Sequence, residues 1–225
     1  MSHMIKLVRK ILPEKMSFLE TIFYVDGPAK SFLPQHNMIA EEVSKAGKGV
    51  LLDIGTGPGV VPLKIGKLMP SSRVIGIDLS QRMIEIAQKK RDESGLFNVD
   101  FEIMDGNALA FGDNTFDMII SVDSLHHWKR PRLIFEEMYR CLKPSGEAWV
   151  YDGFSGVSNE DIDTYAPRLG GCFFPHLTAK LILSVHGFSQ KEYEGDIKNN
   201  IAKTRFREFV CEKRGCMMRL RLRKC

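Results

Sequence analysis

The chain has 225 residues, 44% of them hydrophobic and 27% charged, with a formal net charge of +4. This is enough chain to bury the core of one domain, with an ordinary soluble composition and too small a basic excess to require nucleic acid as a partner. The cysteines at 141, 172, 211, 216 and 225 are odd in number and lack paired metal-ligand spacing. They argue against a disulfide scaffold and, with no signal-peptide pattern, lead us to expect reduced thiols in a cytoplasmic protein.

Met1-Ser2-His3-Met4 has the look of a cloning remnant and is set aside. Ile5, Leu7, Val8, Ile11 and Leu12 share a helical face that Pro13 stops, and Phe18, Leu19, Ile22 and Phe23 suggest a second short helix. Pro34 opens a predicted third helix through Met38, Ile39 and Val43 to Gly47. Val50-Leu51-Leu52 then reads as a buried strand, followed by Asp53-Ile54-Gly55-Thr56-Gly57-Pro58-Gly59, with three glycines in five positions. Glycine admits positive φ and lets a ligand approach the main chain without a Cβ in the way. A helix over Val60, Val61, Leu63, Ile65 and Leu68 and a second strand, Val74 to Ile77, lead to Asp78. Strand, glycine loop, helix, strand and acid make a nucleotide-binding βαβ unit, with Asp78 placed to accept from a ribose.

A dinucleotide fingerprint wants a glycine at the sixth position from Gly55, where Val60 stands. Ser80 is a predicted N-cap for a helix carrying Met83, Ile84, Ile86 and Ala87. Val99 to Met104 alternates as a third strand, ending at Asp105-Gly106-Asn107-Ala108. Phe116 to Ile120 is a fourth, leading to Ser121-Val122-Asp123-Ser124-Leu125-His126-His127-Trp128. A helix over Leu133, Ile134, Met138 and Leu142 ends at Pro144-Ser145-Gly146, and Glu147 to Asp152 is the fifth strand. Residues 153 to 203, with a short apolar helix over Leu177, Leu181 and Leu183 and another near Tyr193 to Ile201, read as a cap over the strand ends. The apolar run 177–185 contains Lys180 and is too short to span a bilayer. Phe206 to Lys213 and Cys216 to Arg223 close the chain as a hairpin, with Arg219, Arg221 and Arg223 on one face. That row is either an anion-binding surface or a solvated face that protects a sheet edge. Strands interleaved with helices predict an α/β domain with a mostly parallel sheet covered on both faces.

Asp53-x-Gly55-x-Gly57-x-Gly59 resembles the first motif of the class I S-adenosylmethionine-dependent methyltransferases. Leu125-His126-His127-Trp128, with the Lys-Arg-Pro and helix that follow, resembles the small-molecule subgroup that includes the ubiquinone and menaquinone C-methyltransferases. The resemblance implies a Rossmann-like seven-stranded sheet with only the last strand antiparallel. It implies one domain over residues 1–225: an N-terminal helical lid (5–48), a cofactor-binding core (49–152), a substrate cap (153–203) and the closing hairpin (204–225). S-adenosylmethionine is the implied cofactor and S-adenosylhomocysteine the product. The implied cofactor residues are Asp53, Gly55, Thr56, Gly57, Gly59, Asp78, Leu79, Met83, Asp105, Gly106, Asn107, Ala108 and Ser121. Met83 matches the place where the family packs an apolar side chain on adenine, though a core role fits it equally. Ser145 stands where many relatives carry glycine.

His126 is the candidate base, with His127 and Tyr24 as candidate substrate contacts; packing around Trp128, or at the surface for Tyr24, is the plainer role for each. Asp123 and Asp152 could together hold Mg²⁺, but that pattern wants an Asp-Asn pair where Asp152-Gly153 stands, so no metal centre is expected. A DNA amino-methyltransferase would show Asn/Asp-Pro-Pro-Tyr/Phe after the fourth strand, and none is there. The expected partner is a small-molecule acceptor, with no DNA and no membrane span. RNA or protein methylation and non-catalytic cofactor binding are the alternatives.

Overall fold

The computed structural model describes residues 32–165 and 175–225. The two helices predicted before residue 24, Tyr24 itself and Cys172 lie outside the described residues.

The chain first forms α1 (Leu33–Ala46), opened by Pro34 in its first turn, then β1 (Val50–Ile54), α2 (Val60–Leu68) and β2 (Arg73–Asp78). Next come α3 (Gln81–Ser94), β3 (Val99–Ile103), β4 (Phe116–Val122) and a 3₁₀ turn over Leu125–His127. Then α4 (Pro131–Cys141) leads into β5 (Leu142–Gly153). The cap follows as α5 (Asn159–Tyr165), α6 (Pro175–His186) and α7 (Gln190–Glu192). The last of these continues through a π turn at Tyr193–Ile197 into α8 (Lys198–Ala202). The strands β6 (Phe209–Arg214) and β7 (Met217–Arg223) close the chain, turning on Gly215 with φ +61°. Ser80 caps α3 as predicted, its Oγ accepting from Met83 N at 3.4 Å.

The seven strands lie in the order β3-β2-β1-β4-β5-β7-β6. Strands β1 to β5 pair in parallel; β7 is antiparallel to both β5 and β6, so it alone runs against the rest. Helices cover both faces, and side chains alternate between them. Leu52, Ile119, Ala148 and Val150 pack under α4 and the Tyr193, Ile197 and Ile201 stripe. Leu51, Ile120, Trp149 and Tyr151 pack under α1, α2 and α3. Burial on both faces explains why β1 and β4 read as unbroken apolar runs. The chain leaves β1 toward β2 on one side while β4 lies on the other, which makes the β1/β4 carboxyl edge the switch point where such sheets bind ligands.

Three details depart from the sequence reading. Leu142 belongs to β5 and pairs with Phe116, so α4 ends one residue earlier than expected; the ladder then shifts register before Met118 meets Glu147. Ser145 in that irregular stretch has φ +65°, a conformation L side chains resist. The arginine row does not line a sheet edge, because β7 is inside the sheet. Arg219 is buried over the Trp149 ring at 4.5 Å and pairs with Glu42 and Glu212, while Arg221 pairs with Glu147. The neighbouring carboxylates already neutralise Arg219 and Arg221, and β6 occupies the edge.

Candidate functional site

The carboxyl ends of β1, β2, β4 and β5 open into one cavity of about 470 Å³, roofed by Ile182, Leu183 and His186 of α6. At one end the loop after β1 is strapped to β2. Gly55 N and Thr56 N both donate to Ile77 O, at 2.8 and 2.9 Å. Asp78 holds the loop from the other side, Oδ2 accepting from Gly57 N at 2.9 Å and Oδ1 from Ser80 N at 2.8 Å. An ionised carboxylate offers acceptors only, and Asp78 lines the cavity beside this loop. Gly57 has φ +53°, and a Cβ built there meets nothing within 4 Å, so the main chain is bare on the cavity side.

Asp53 is almost fully buried behind this loop. Burial pushes its carboxyl up to about 7; the Thr56 side chain opposes the shift and the charge of Asp78 adds to it. Asp53 Oδ1 and Thr56 Oγ1 nevertheless lack a partner in hydrogen-bond geometry, as does the buried Asn107 Oδ1. Such orphaned acceptors are uncommon in native interiors. Asp105 Oδ1 accepts from both the backbone and the side-chain nitrogen of Asn107, each at 2.8 Å, which fixes the turn after β3. Met83 and Leu79 supply the apolar wall.

The structure thus brings Asp53, Gly55, Thr56, Gly57, Asp78, Leu79, Met83, Asp105, Gly106 and Asn107 to one wall. Three other expected residues are not on it. Ser121 is fully buried and donates its hydroxyl to Ile54 O at 2.7 Å, bracing β4 against β1. Ala108 gives its N–H to Asp105 O. Gly59, with φ +74°, packs where a Cβ would strike Phe101 and Ala87, so it seats the start of α2 closely against β3 and α3.

The other end of the cavity carries two histidine–aspartate pairs. His126 donates its backbone N–H to Asp152 Oδ2 at 2.9 Å, and its Nδ1 lies 2.9 Å from Asp152 Oδ1. Asp152 is 1% exposed and also accepts from Gly153 N at 2.7 Å. With Asp152 as a carboxylate, this pattern assigns an imidazole proton to Nδ1. His36 Nε2 lies 3.0 Å from Asp123 Oδ2; its Nδ1 is buried without a partner. Asp123 adopts φ +54°, held by its N–H to Tyr151 O. Each of the two acids once weighed for Mg²⁺ is therefore engaged by its own imidazole. The rings of His126 and His127 stack at 4.1 Å, and His186 meets His126 edge-on at 5.3 Å. Trp128 turns its Nε1 to Ser124 Oγ at 3.0 Å.

Sequence reasoning missed His36 and His186, each a lone histidine on a helix, and missed that Asp152 orients His126. Cys216 is fully buried and its thiol is pushed up to about 12 by burial, which makes it a packing residue.

Residues 51–146 match a family model described as Methyltransferase domain. The chain is 31% identical over 114 residues to the ubiquinone/menaquinone biosynthesis C-methyltransferase UbiE of Desulfotalea psychrophila, covering 51% of this chain and 45% of that one. It is 28% identical over 167 residues to phosphoethanolamine N-methyltransferase 2 of Caenorhabditis elegans, covering 73% of this chain and 37% of that one. The chain therefore spans less than half the length of these two relatives. Among solved structures, an assigned S-adenosyl-L-methionine-dependent methyltransferase from Methanococcus maripaludis superposes with a TM-score of 0.73 at 21% identity, covering 91% of this chain and 90% of that one. That likeness is one of fold.

Proposed function

We propose that the cavity transfers a methyl group from S-adenosylmethionine to a small-molecule acceptor, a reading supported by the methyltransferase-domain match over residues 51–146 and by the similarity to a C-methyltransferase. The observation that carries the reading is the division of one cavity into a glycine-and-acid end and a histidine end under α6. The bare backbone at Gly57, the carboxylate of Asp78 and the orphaned acceptors of Asp53 and Asn107 suit an adenosine bearing cationic groups. When bound, S-adenosylmethionine supplies an already activated sulfonium methyl.

The protein's part is alignment. Asp78 and the Asp105–Asn107 turn hold the nucleoside, Met83 faces the base, and the acceptor enters between Asp123, His126 and His127. In-line displacement needs nucleophile, methyl carbon and leaving sulfur collinear, and such positioning contributes about 7–11 kcal/mol. His126, held by Asp152, takes the acceptor's proton at Nε2 where the acceptor starts protonated, worth typically ~10²–10⁴-fold. The enclosing cap, with Leu183 and Ile182 overhead, favours a small acceptor over a macromolecular one.

Calorimetric titration with S-adenosylmethionine, S-adenosylhomocysteine and NADH tests the cofactor half; the first two should bind and NADH should not. Label transfer from methyl-labelled cofactor across a metabolite panel tests the acceptor half. Binding of NADH alone would sink the reading.

A further inference from the structure

We propose that His126, His127 and His186 form a binding site for one divalent transition-metal ion, with Zn²⁺ the reference ion, at the acceptor end of the cavity. Three of the chain's six histidines meet here, and among the described residues theirs is the one His/Cys/Asp/Glu group whose ligand atoms all lie within 4.8 Å of one another. Two nitrogens on one tetrahedral zinc lie about 3.3 Å apart, given Zn–N bonds of ~2.0–2.1 Å. The three ligand atoms already lie within about 1.5 Å of that spacing. Imidazole sets of this kind suit zinc and its neighbours rather than Mg²⁺ or Ca²⁺, which prefer oxygen.

The second observation is Asp152. It is buried and engages His126 Nδ1 at 2.9 Å, so it fixes the tautomer that presents Nε2. A carboxylate behind a ligating imidazole is the arrangement that orients histidines on metals and raises their basicity. The ligands also come from two separated segments, the turn after β4 and the end of α6, so an ion would tie the cap to the core.

Three protein ligands leave a fourth position for the acceptor. A thiol or hydroxyl acceptor entering it exchanges its proton for the bond to the metal, the proton leaving to solvent. Its remaining lone pair then forms the new bond to the methyl carbon, while the breaking carbon–sulfur pair returns to the sulfonium sulfur and leaves a neutral thioether. In that case His126 serves as a ligand and the metal replaces it as the group that ionises the acceptor. This step rests on the function proposed above; the binding site itself does not.

The test is Zn²⁺ titration of the chelator-treated full chain in competition with a chromogenic chelator, with Co²⁺ absorption as a second readout. The expected result is one ion per chain, at least 100-fold weaker binding in His186→Ala and His127→Ala, about 10–100-fold weaker in Asp152→Asn, and no change in His176→Ala. Cobalt should show tetrahedral ligand-field bands in the native chain and in His176→Ala, and none in His186→Ala or His127→Ala. S-adenosylmethionine titration and thermal melting of His186→Ala should match the native chain, which separates failure of the metal site from failure of the fold or of the cofactor reading. Equal Zn²⁺ affinity in the native chain and His186→Ala, or no binding in competition, overturns the proposal.

Discussion

His126 and Asp152 are joined by backbone and side chain alike: Asp152 Oδ2 takes the His126 N–H at 2.9 Å while Oδ1 sits 2.9 Å from Nδ1. One buried carboxylate therefore sets both the position of the turn after β4 and the orientation of the imidazole.

Replacing Asp152 with Asn keeps the shape and loses the charge. Turnover should fall about 10²-fold, in line with a displaced proton acceptor or ligand. Cofactor affinity should stay within a few fold, because Asp152 is at the opposite end of the cavity from Asp78. Steady-state kinetics with separate cofactor titration reads both.

Asp78→Ala removes the acceptor for Gly57 N and Ser80 N as well as any ligand hydroxyl. Hydrogen bonds to charged groups contribute about 1.5–3 kcal/mol, so S-adenosylmethionine binding should weaken at least tenfold and approach 100-fold. Unchanged affinity by calorimetry would remove residue 78 from the cofactor site.

Asp53 links pH to stability. Its ordinary value of 3.8 rises to about 7 on folding, because burial disfavours the carboxylate. Between those values the folded chain binds the extra proton, so this group's contribution to stability declines as pH climbs from about 4 to 7 and is level above. A cationic ligand nearby favours the carboxylate, so cofactor affinity should increase from pH 6 to 8 with a proton released on binding. Asp53→Asn should flatten both trends; denaturant melts and calorimetry in two buffers of different ionisation heat check them.

Ser145 sits at φ +65°, where a side chain costs about 1–2 kcal/mol. Ser145→Gly should stabilise the chain by up to about 1 kcal/mol, because the gain is partly offset by glycine's greater freedom when unfolded. Ser145→Val should destabilise it by a similar amount. Urea melts decide.

Arg219 is buried between Glu42, Glu212 and the Trp149 ring. Arg219→Ala leaves Glu42 and Glu212 with Arg214 as their shared partner and uncovers the Trp149 ring, so it should cost about 2 kcal/mol in urea melts, below the ~3–5 of a buried pair left with one uncompensated charge.

Local chemistry was enough to read the glycine-and-acid end of the cavity from the chain. Gly57, Asp78 and the Asp105–Asn107 turn lie at the ends of strands whose apolar runs are self-evident, and each sits within a few residues of the strand that positions it. Glu147 to Asp152 reads as a strand that is half-polar by alternation, yet the fold buries Ala148 and Val150 on one face and Trp149 and Tyr151 on the other. The histidine end was decided by the tertiary structure. His36 comes from a helix before the sheet and His186 from the cap, 150 residues apart, and nothing in either neighbourhood signals the other. Ser121 and Arg219 show the same limit in reverse: strand-end position marks Ser121 as ligand-facing, and alternation leaves the Arg219 row as either an anion-binding or a solvated face. Only the fold reveals that Ile54 O claims the one and that Glu42 and Glu212 enclose the other. Strand ends are written by neighbouring residues, whereas pairings between distant side chains depend on how the layers close over one another.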